Sequence, residues 1–201
     1  MVRQGMRALL SGTSDFVICG EVESAEAALS AIAREQPDVI CLDLVLGTSD
    51  GFELIRSIRG ADPNARILVL SVRDEELYAE RCLSAGALGY AMKTDSNEML
   101  LAALRRVANG DVYLSSRAAM RVIERVRDPN RSRSGVAGLT DRELQVFQLI
   151  GAGLTTRQIA ERLGIGIKTI ESHRENIKNR LGIVNTSQLV REATRWVQQL
   201  S

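Results

Sequence analysis

Residues 37–44 read PDVICLDL, and this stretch decides the fold of the first half of the chain. Its apolar core, Val39–Leu42, is a continuous run of strand length, which is typical of a strand covered on both faces. Strand and helix patterns alternate on either side of it, so we predict an α/β fold with a parallel sheet. Further strands are predicted at Phe16–Gly20, Ile67–Leu70 and Gly89–Met92.

Residues 139–193 read LTDRELQVFQLIGAGLTTRQIAERLGIGIKTIESHRENIKNRLGIVNTSQLVREA and carry no strand pattern. Thr140 and Thr155 are each followed three residues later by Glu or Gln, the capping-box spacing that opens a helix. Asn185 is a related helix start. We therefore predict an all-α domain of four helices, which by this pattern alone is also compatible with a plain helical bundle.

A helix-turn-helix pattern lies between residues 156 and 181. The small side chain of Ala160 lets a second helix cross closely, and Gly164 permits a turn with positive φ. Ile170 is placed to pack the second helix back onto the first.

The 201 residues are enough for two domains, and we predict boundaries at 1–115, 116–138 (a helix and a flexible linker) and 139–201. Residues 1–120 hold 12 basic and 17 acidic side chains, whereas residues 139–201 hold 9 and 6. The basic rear favours nucleic-acid contact there. No apolar run is long enough to span a membrane and no secretory leader opens the chain, so we expect a cytoplasmic protein with three buried free cysteines.

Three polar residues follow predicted strands: Asp43, Ser71 and Lys93, the second and third lying 28 and 50 residues after the first. Functional groups collect at the carboxyl ends of parallel strands. The order and spacing, together with PDVICLDL and the GALGYAMK string that ends at Lys93, resemble the receiver domain of two-component response regulators over about the first 115 residues. An ordinary strand-end ion pair is the alternative for Asp43 and Lys93.

The resemblance implies a flavodoxin-like, doubly wound parallel sheet, in which Asp43 accepts a phosphoryl group from a sensor histidine kinase. It also implies that Lys93 pairs with the phosphoryl oxygens, that Ser71 turns its hydroxyl towards them, and that Tyr90 follows inward. These residue types suit the chemistry, because phosphoryl transfer depends mostly on positioning and charge neutralisation.

The sequence departs from the family in lacking its first strand and the acidic pair at the end of that strand. Only Asp43 and the Val45 carbonyl remain for the family's Mg²⁺, which needs near-octahedral oxygen ligands, so we expect poor metal binding. Loss of the central strand predicts a poorly stable receiver. We interpret this as a misplaced start or a fragment, with a genuine phosphorylation-blind regulator as the other case.

Residues 139–193 also resemble the LuxR-type (NarL/FixJ) output domain, especially members whose recognition helix reads KTIESHRENIK. The resemblance implies a recognition helix over about 167–181 in the major groove of an operator in double-stranded DNA. Base contacts are expected at Glu171, Ser172 and Glu175. Phosphate contacts are expected at six positions: Thr156, Arg157, Lys168, Thr169, Arg174 and Lys178. Homodimer contacts are expected at Leu189, Ala193 and Trp196.

The predicted function is therefore a DNA-binding transcriptional regulator, not an enzyme, that is switched by phosphorylation. The first alternative is a phosphorylation-independent regulator with a degenerate receiver. The second is a flavodoxin-like enzyme or cofactor binder, which lacks support because the chain has no G-x-x-x-x-G-K or G-x-G-x-x-G string.

Overall fold

The computed structural model describes residues 2–46, 49–127 and 135–199. They belong to two compact units, Met1–Met120 and Arg121–Ser201. Residues 128–134, most of the predicted linker, lie outside the described residues, and so do Gly47 and Thr48. The predicted three-part division of the chain stays a prediction.

The first unit contains a three-stranded parallel sheet. Its strands are β1 (Ile40–Asp43), β4 (Ile67–Ser71) and β5 (Gly89–Met92), in the order β1-β4-β5. The short strands β2 (Val45–Leu46) and β3 (Ser49–Asp50) form a separate antiparallel pair. All five residues of the central strand are buried, as expected for a parallel strand covered on both faces. The predicted α/β architecture is confirmed.

Among the described residues, five helices lie in the first unit and a sixth crosses the boundary between the two units. The five are α1 (Val2–Ser11), α2 (Ala25–Glu35), α3 (Gly51–Ala61), α4 (Glu75–Ala85) and α5 (Asn97–Ala108), and the sixth is α6 (Ser116–Arg127). Ser24 caps α2 by accepting a hydrogen bond from the Ala27 amide, and Ser96 caps α5 in the same way. The apolar face of α5, with Ala103, Leu104 and Val107, is fully buried against the sheet.

The prediction of a strand at Phe16–Gly20 is wrong, since this segment forms no strand in the structure. Residues from this segment, α1, α2 and β1 line one groove of about 610 Å³. Within the described residues, β1 pairs only with β4 and is an edge strand. A strand is stabilised by a hydrogen-bonded neighbour, and Phe16–Gly20 has none across the groove. Within the described residues the parallel sheet thus has three strands, one fewer than the four predicted.

The same groove explains an error about the cysteines. Cys82 is buried as predicted, but Cys19 and Cys41 are exposed and both line the groove. Part of Cys41 is exposed to the groove, but protein atoms surround its thiol. This burial disfavours the charged thiolate and raises the pKa of the thiol to about 12.

The second unit is all-helical, as predicted. A 3₁₀ turn at Gly135–Gly138 precedes α7 (Asp141–Gly151), α8 (Thr156–Leu163), α9 (Ile167–Leu181) and α10 (Thr186–Gln199). Both predicted capping boxes are present, at Thr140 with Glu143 and at Thr155 with Gln158. Gly164 ends α8 with φ 63°, which confirms the positive-φ turn.

The core of the second unit joins α7 to the other helices. Its fully buried members include Leu144, Phe147, Ile150, Ile159, Ile170 and Ile177. The helices α7 and α10 approach closely at Gly151, where an added Cβ would lie 2.4 Å from the Ala193 carbonyl oxygen. A side chain there would push α7 and α10 apart. No helix in the described parts of the chain is long and apolar enough to cross a membrane.

Candidate functional site

Asp43 and Lys93 come together at the carboxyl edge of the sheet. Asp43 ends β1 and Lys93 follows β5, so parallel strands bring two residues 50 positions apart to one edge. Lys93 Nζ donates to Asp43 Oδ2, and both side chains are largely but not fully buried, at 16% and 27% exposed. The pair therefore combines a nucleophilic carboxylate with a cation in reach of solvent.

Ser71 and Tyr90 lie beside this pair and are buried, at 0% and 1% exposed. The Ser71 carbonyl accepts from the Lys93 amide at 2.8 Å. The Ser71 hydroxyl accepts from the Arg73 amide at 3.0 Å, and the Tyr90 hydroxyl donates to the Arg73 carbonyl at 2.7 Å. Burial raises the pKa of the Tyr90 phenol. The ring of Tyr90 thus lies inside the fold, tied to the loop that follows β4.

Sequence reasoning missed Arg73, which connects these groups. Its guanidinium lies over the Tyr78 ring, 5.2 Å from the centroid, and Arg73 Nη1 lies 3.0 Å from the Tyr78 hydroxyl. Tyr78 in turn stacks on Phe52. An arginine in a loop carries no sequence signal for such contacts, because they depend on where α3, α4 and β5 meet.

The residues present do not fit a magnesium site. Mg²⁺ demands near-octahedral coordination by oxygen atoms. Among the described residues, no group of three or more His, Cys, Asp or Glu side chains is placed to hold a metal ion. Asp43 is instead paired with Lys93, and the backbone of Val45 pairs with Asp50 in the β2–β3 hairpin.

The helix α9 has the bounds predicted for a recognition helix. Ile170 and Ile177 are fully buried on one side. Seven of the nine candidate DNA-contacting side chains lie on the other faces of α9, and Thr156 and Arg157 lie at the start of α8. Of these, Arg157, Lys168, Thr169, Glu171, Ser172 and Glu175 are exposed, while Thr156, Arg174 and Lys178 are half-buried.

Several of these side chains already have partners within the domain. Lys178 pairs with Glu175 at 2.7 Å, and Arg157 pairs with Glu161 at 3.1 Å. The Ser172 hydroxyl donates to the Lys168 carbonyl at 3.1 Å and keeps its lone pairs free to accept. Pairing with Lys178 offsets part of the negative charge that Glu175 presents on this surface.

His173 on α9 is half-buried. Burial lowers its pKa, the Arg142 charge lowers it further, and the Glu143 charge raises it. This position favours a packing role for the only histidine of the chain.

Two of the three predicted dimer residues lie in the core of the domain. Leu189 and Ala193 are 0% exposed, because α10 packs this face on α7, and they leave no surface for a second subunit. Trp196 is half-buried, with its ring centroid 5.8 Å from that of Phe147. Hydrophobic periodicity alone does not distinguish an intramolecular face from an intermolecular one.

Comparison with known proteins identifies both halves of the chain. The response regulator receiver domain family matches residues 1–105, and the luxR family of bacterial regulatory proteins matches residues 137–193. The chain is 33% identical over 190 residues to the transcriptional regulatory protein LiaR of Bacillus subtilis (strain 168), covering 94% of this chain and 89% of that protein. It is 32% identical to a nitrate/nitrite response regulator protein homolog of Haemophilus influenzae, covering 91% of this chain and 86% of that protein.

Among solved structures, RcsB from Salmonella enterica serovar Typhimurium, bound to promoter P1flhDC in the presence of phosphomimetic BeF3⁻, superimposes with a TM-score of 0.67. It is 25% identical, and the match covers 96% of this chain and 93% of that one. The response regulator ChrA of a heme-sensing two-component system is 28% identical with a TM-score of 0.51, covering 100% of this chain and 93% of that one.

Proposed function

Because the chain belongs to the two-component response regulators that join a receiver domain to a LuxR-type DNA-binding domain, we propose that phosphorylation of Asp43 controls its binding to operator DNA. The observation that carries the phosphorylation part is the Asp43–Lys93 pair at the carboxyl edge of the sheet. The DNA-binding part rests on the exposed polar surface of α9. The RcsB structure, which holds promoter DNA and a phosphomimetic, supports combining the two.

In the proposed transfer, a carboxylate oxygen of Asp43 attacks the phosphorus of a phosphohistidine on a sensor kinase. The nitrogen–phosphorus bond breaks, the histidine keeps its electron pair, and an acyl phosphate forms on Asp43. The Lys93 ammonium offsets the added negative charge. Receiver domains of this family typically bind Mg²⁺, but Asp43 and the Val45 carbonyl alone do not make an octahedral site, so we assign no step to a metal.

Phosphorylation then acts through the loop after β4. A phosphoryl group on Asp43 offers acceptors to the Ser71 hydroxyl, which currently accepts from the Arg73 amide. Moving that hydroxyl shifts Arg73, whose carbonyl holds Tyr90. A switch of this kind requires an element with two arrangements. We assign that role to the loop after β4, which has one arrangement before phosphorylation and another after it.

For DNA recognition we propose that α9 enters the major groove. Glu171, Ser172 and Glu175 face the base edges, where a glutamate can accept from cytosine N4 and a serine can serve either base class. Phosphate contacts come from six side chains that flank them: Thr156, Arg157, Lys168, Thr169, Arg174 and Lys178. These contacts fix the register of the helix without reading sequence.

We propose further that two copies bind paired half-sites about one helical turn apart, or a multiple of this. In place of the buried Leu189 and Ala193, we assign the contact to the outward side of α10. That side carries Val190, 40% exposed. Trp196 lies on the same face as Leu189 and Ala193 and is only half-buried, so it offers just its open part to a partner. Response regulators of this family typically act in the cytoplasm, and we propose the same location here.

The salt dependence of DNA binding tests the assignment of phosphate contacts. We expect Lys168→Ala to lower the slope of log K against log salt by about 1, since each phosphate contact releases about one counterion. Arg162→Ala is the matched control, because it removes one exposed charge from the neighbouring helix α8 at a position with no proposed contact. Equal slopes for wild type and Lys168→Ala would contradict the assignment.

Labelling tests the phosphoacceptor. Incubated with acetyl phosphate, the wild-type chain is expected to gain one phosphoryl group by intact-mass measurement, and Asp43→Asn is expected to gain none. The alternative, a regulator independent of phosphorylation, is favoured by the lack of a fitting metal site among the described residues. Absence of label on a folded wild-type chain that still binds DNA would establish that alternative.

A further inference from the structure

The first turn of α7 is tied to the last turn of α9 through a buried carboxylate. Glu143 is 3% exposed, and its Oε2 accepts from the Thr140 amide at 2.8 Å as part of the capping box. The same oxygen lies 3.1 Å from Arg180 Nε. Arg180 also donates to the Gly138 carbonyl at 3.4 Å, just before α7.

The neighbouring residue holds the other helix of the helix-turn-helix. Arg142 Nη2 donates to the carbonyl of Leu163, the last residue of α8, at 3.1 Å. The last carbonyls of a helix have no partner within it, so Arg142 closes the end of α8 where the chain turns towards α9. Its other terminal nitrogen donates to Gln145 at 2.6 Å, which fixes the side chain in this direction.

These contacts fix the angle of α9 relative to α7 and α8. Arg180 lies nine residues beyond Glu171, about 14 Å along the helix. The contact with Glu143 therefore restrains the C-terminal end of α9. The residues proposed to read bases lie towards the N-terminal end of the same helix. A small rotation about Ile170 and Ile177, the apolar contacts in between, would move the base-reading side chains away from their partners.

We infer that Arg142, Glu143 and Arg180 form a clamp that sets the angle of α9 and thereby the discrimination between DNA sequences. All three are positioning residues, because they act through α9 and touch no base. The inference rests on the proposed DNA-binding function. Arg180 is 51% exposed, and an ion pair with one solvent-exposed partner contributes little to stability. A role in geometry therefore explains the burial of Glu143 better than a role in stability alone.

The test compares specific with non-specific DNA binding in the full chain. Wild-type protein first selects a duplex from a random-sequence pool, and affinity is then measured for that duplex and for a scrambled duplex of the same composition. Glu143→Gln is the informative variant. Glutamine keeps the capping-box acceptor for the Thr140 amide but removes the charge that binds Arg180.

We expect Glu143→Gln to lower the ratio of specific to non-specific affinity by about tenfold, with the affinity for the scrambled duplex unchanged. Arg180→Gln is expected to give the same loss, and the double variant no further loss, since both single changes break one contact. Glu192→Gln is the control. It removes a half-buried carboxylate on α10 that pairs with Arg195 at 3.5 Å and with Arg191 at 3.9 Å, and it is expected to keep the wild-type ratio.

The outcomes distinguish a failure of the clamp from a failure of the proposed DNA-binding function. If wild type selects no duplex at all, DNA binding itself is refuted. If wild type selects a duplex and folded Glu143→Gln keeps its ratio, the clamp is wrong. A parallel loss of both affinities, matching the unfolded fraction, shows a purely structural role and also overturns it. Should Glu143→Gln not fold, Arg180→Gln carries the same test, because it breaks the same contact from its half-exposed side.

Discussion

The close packing of α7 on α10 gives the sharpest quantitative prediction, through Gly151→Ala. An ideal Cβ at this position lies 2.4 Å from the Ala193 carbonyl oxygen and 2.6 Å from Val197 Cγ2. Non-bonded heavy atoms prefer about 3.5–4.0 Å, so the two helices must separate by about 1 Å. The first of these contacts is with backbone, which no side-chain rotation can relieve.

Two effects of the substitution oppose each other. Overpacking a well-filled core costs about 1–3 kcal/mol, while alanine gains up to about 1 kcal/mol over glycine as a helix former. We expect the backbone clash to dominate and the unfolding free energy to fall by about 1–2 kcal/mol. For a domain of this size that lowers the midpoint of thermal unfolding by roughly 5–15 °C.

The assay is thermal unfolding followed by tryptophan fluorescence. Trp196 is the only tryptophan in the chain and packs on Phe147 in this domain, so its signal reports the affected unit. The control is Gly60→Ala in α3, where an added Cβ meets nothing within 4 Å. By circular dichroism that variant is expected to be at least as stable as wild type. A Gly151→Ala midpoint equal to or above that of wild type would refute the packing argument.

Three further predictions concern single groups. Tyr90→Phe removes the donor to the Arg73 carbonyl and is expected to lower the unfolding free energy by about 1 kcal/mol in urea titrations; an unchanged midpoint would contradict it. Thr140→Ala removes the cap of α7 at a cost of about 1 kcal/mol, whereas Thr140→Ser, which keeps the hydroxyl, is expected to stay close to wild type. The pKa of His173 is lowered, chiefly by burial, so the unfolded chain takes up a proton more readily than the folded one. Stability is therefore expected to fall as pH drops through about 6.5, and His173→Gln to remove that part of the decline; an unchanged pH profile would count against it.

Local signals predicted the helical half of the chain well. The bounds of α9 match the predicted ones because glycines mark both of its ends. Gly164 ends the preceding helix, Gly166 is the N-cap of α9 and Gly182 is its C-cap, and such residues can be recognised in the sequence. The capping boxes at Thr140 and Thr155 are equally local. The apolar runs predicted the strands that carry Asp43 and Lys93, and the structure pairs both strands with β4.

The failures all involve contacts between distant parts of the chain. Phe16–Gly20 has strand-forming residues but no neighbour to pair with, and a strand depends on its neighbour. Leu189 has the periodicity of an interface, yet α7 already covers it. The contacts of Arg73 and Arg180 are set by tertiary geometry, and charged residues on a loop or helix surface give no pattern from which a buried partner can be inferred.

The most direct test of the central claim is the affinity of the full chain for its selected duplex, with and without acetyl phosphate, for wild type and for Asp43→Asn. The account predicts that the phosphodonor tightens binding by wild type, and that Asp43→Asn binds equally with and without it. If the donor leaves wild-type affinity unchanged while label is present on Asp43, phosphorylation does not control DNA binding in this protein.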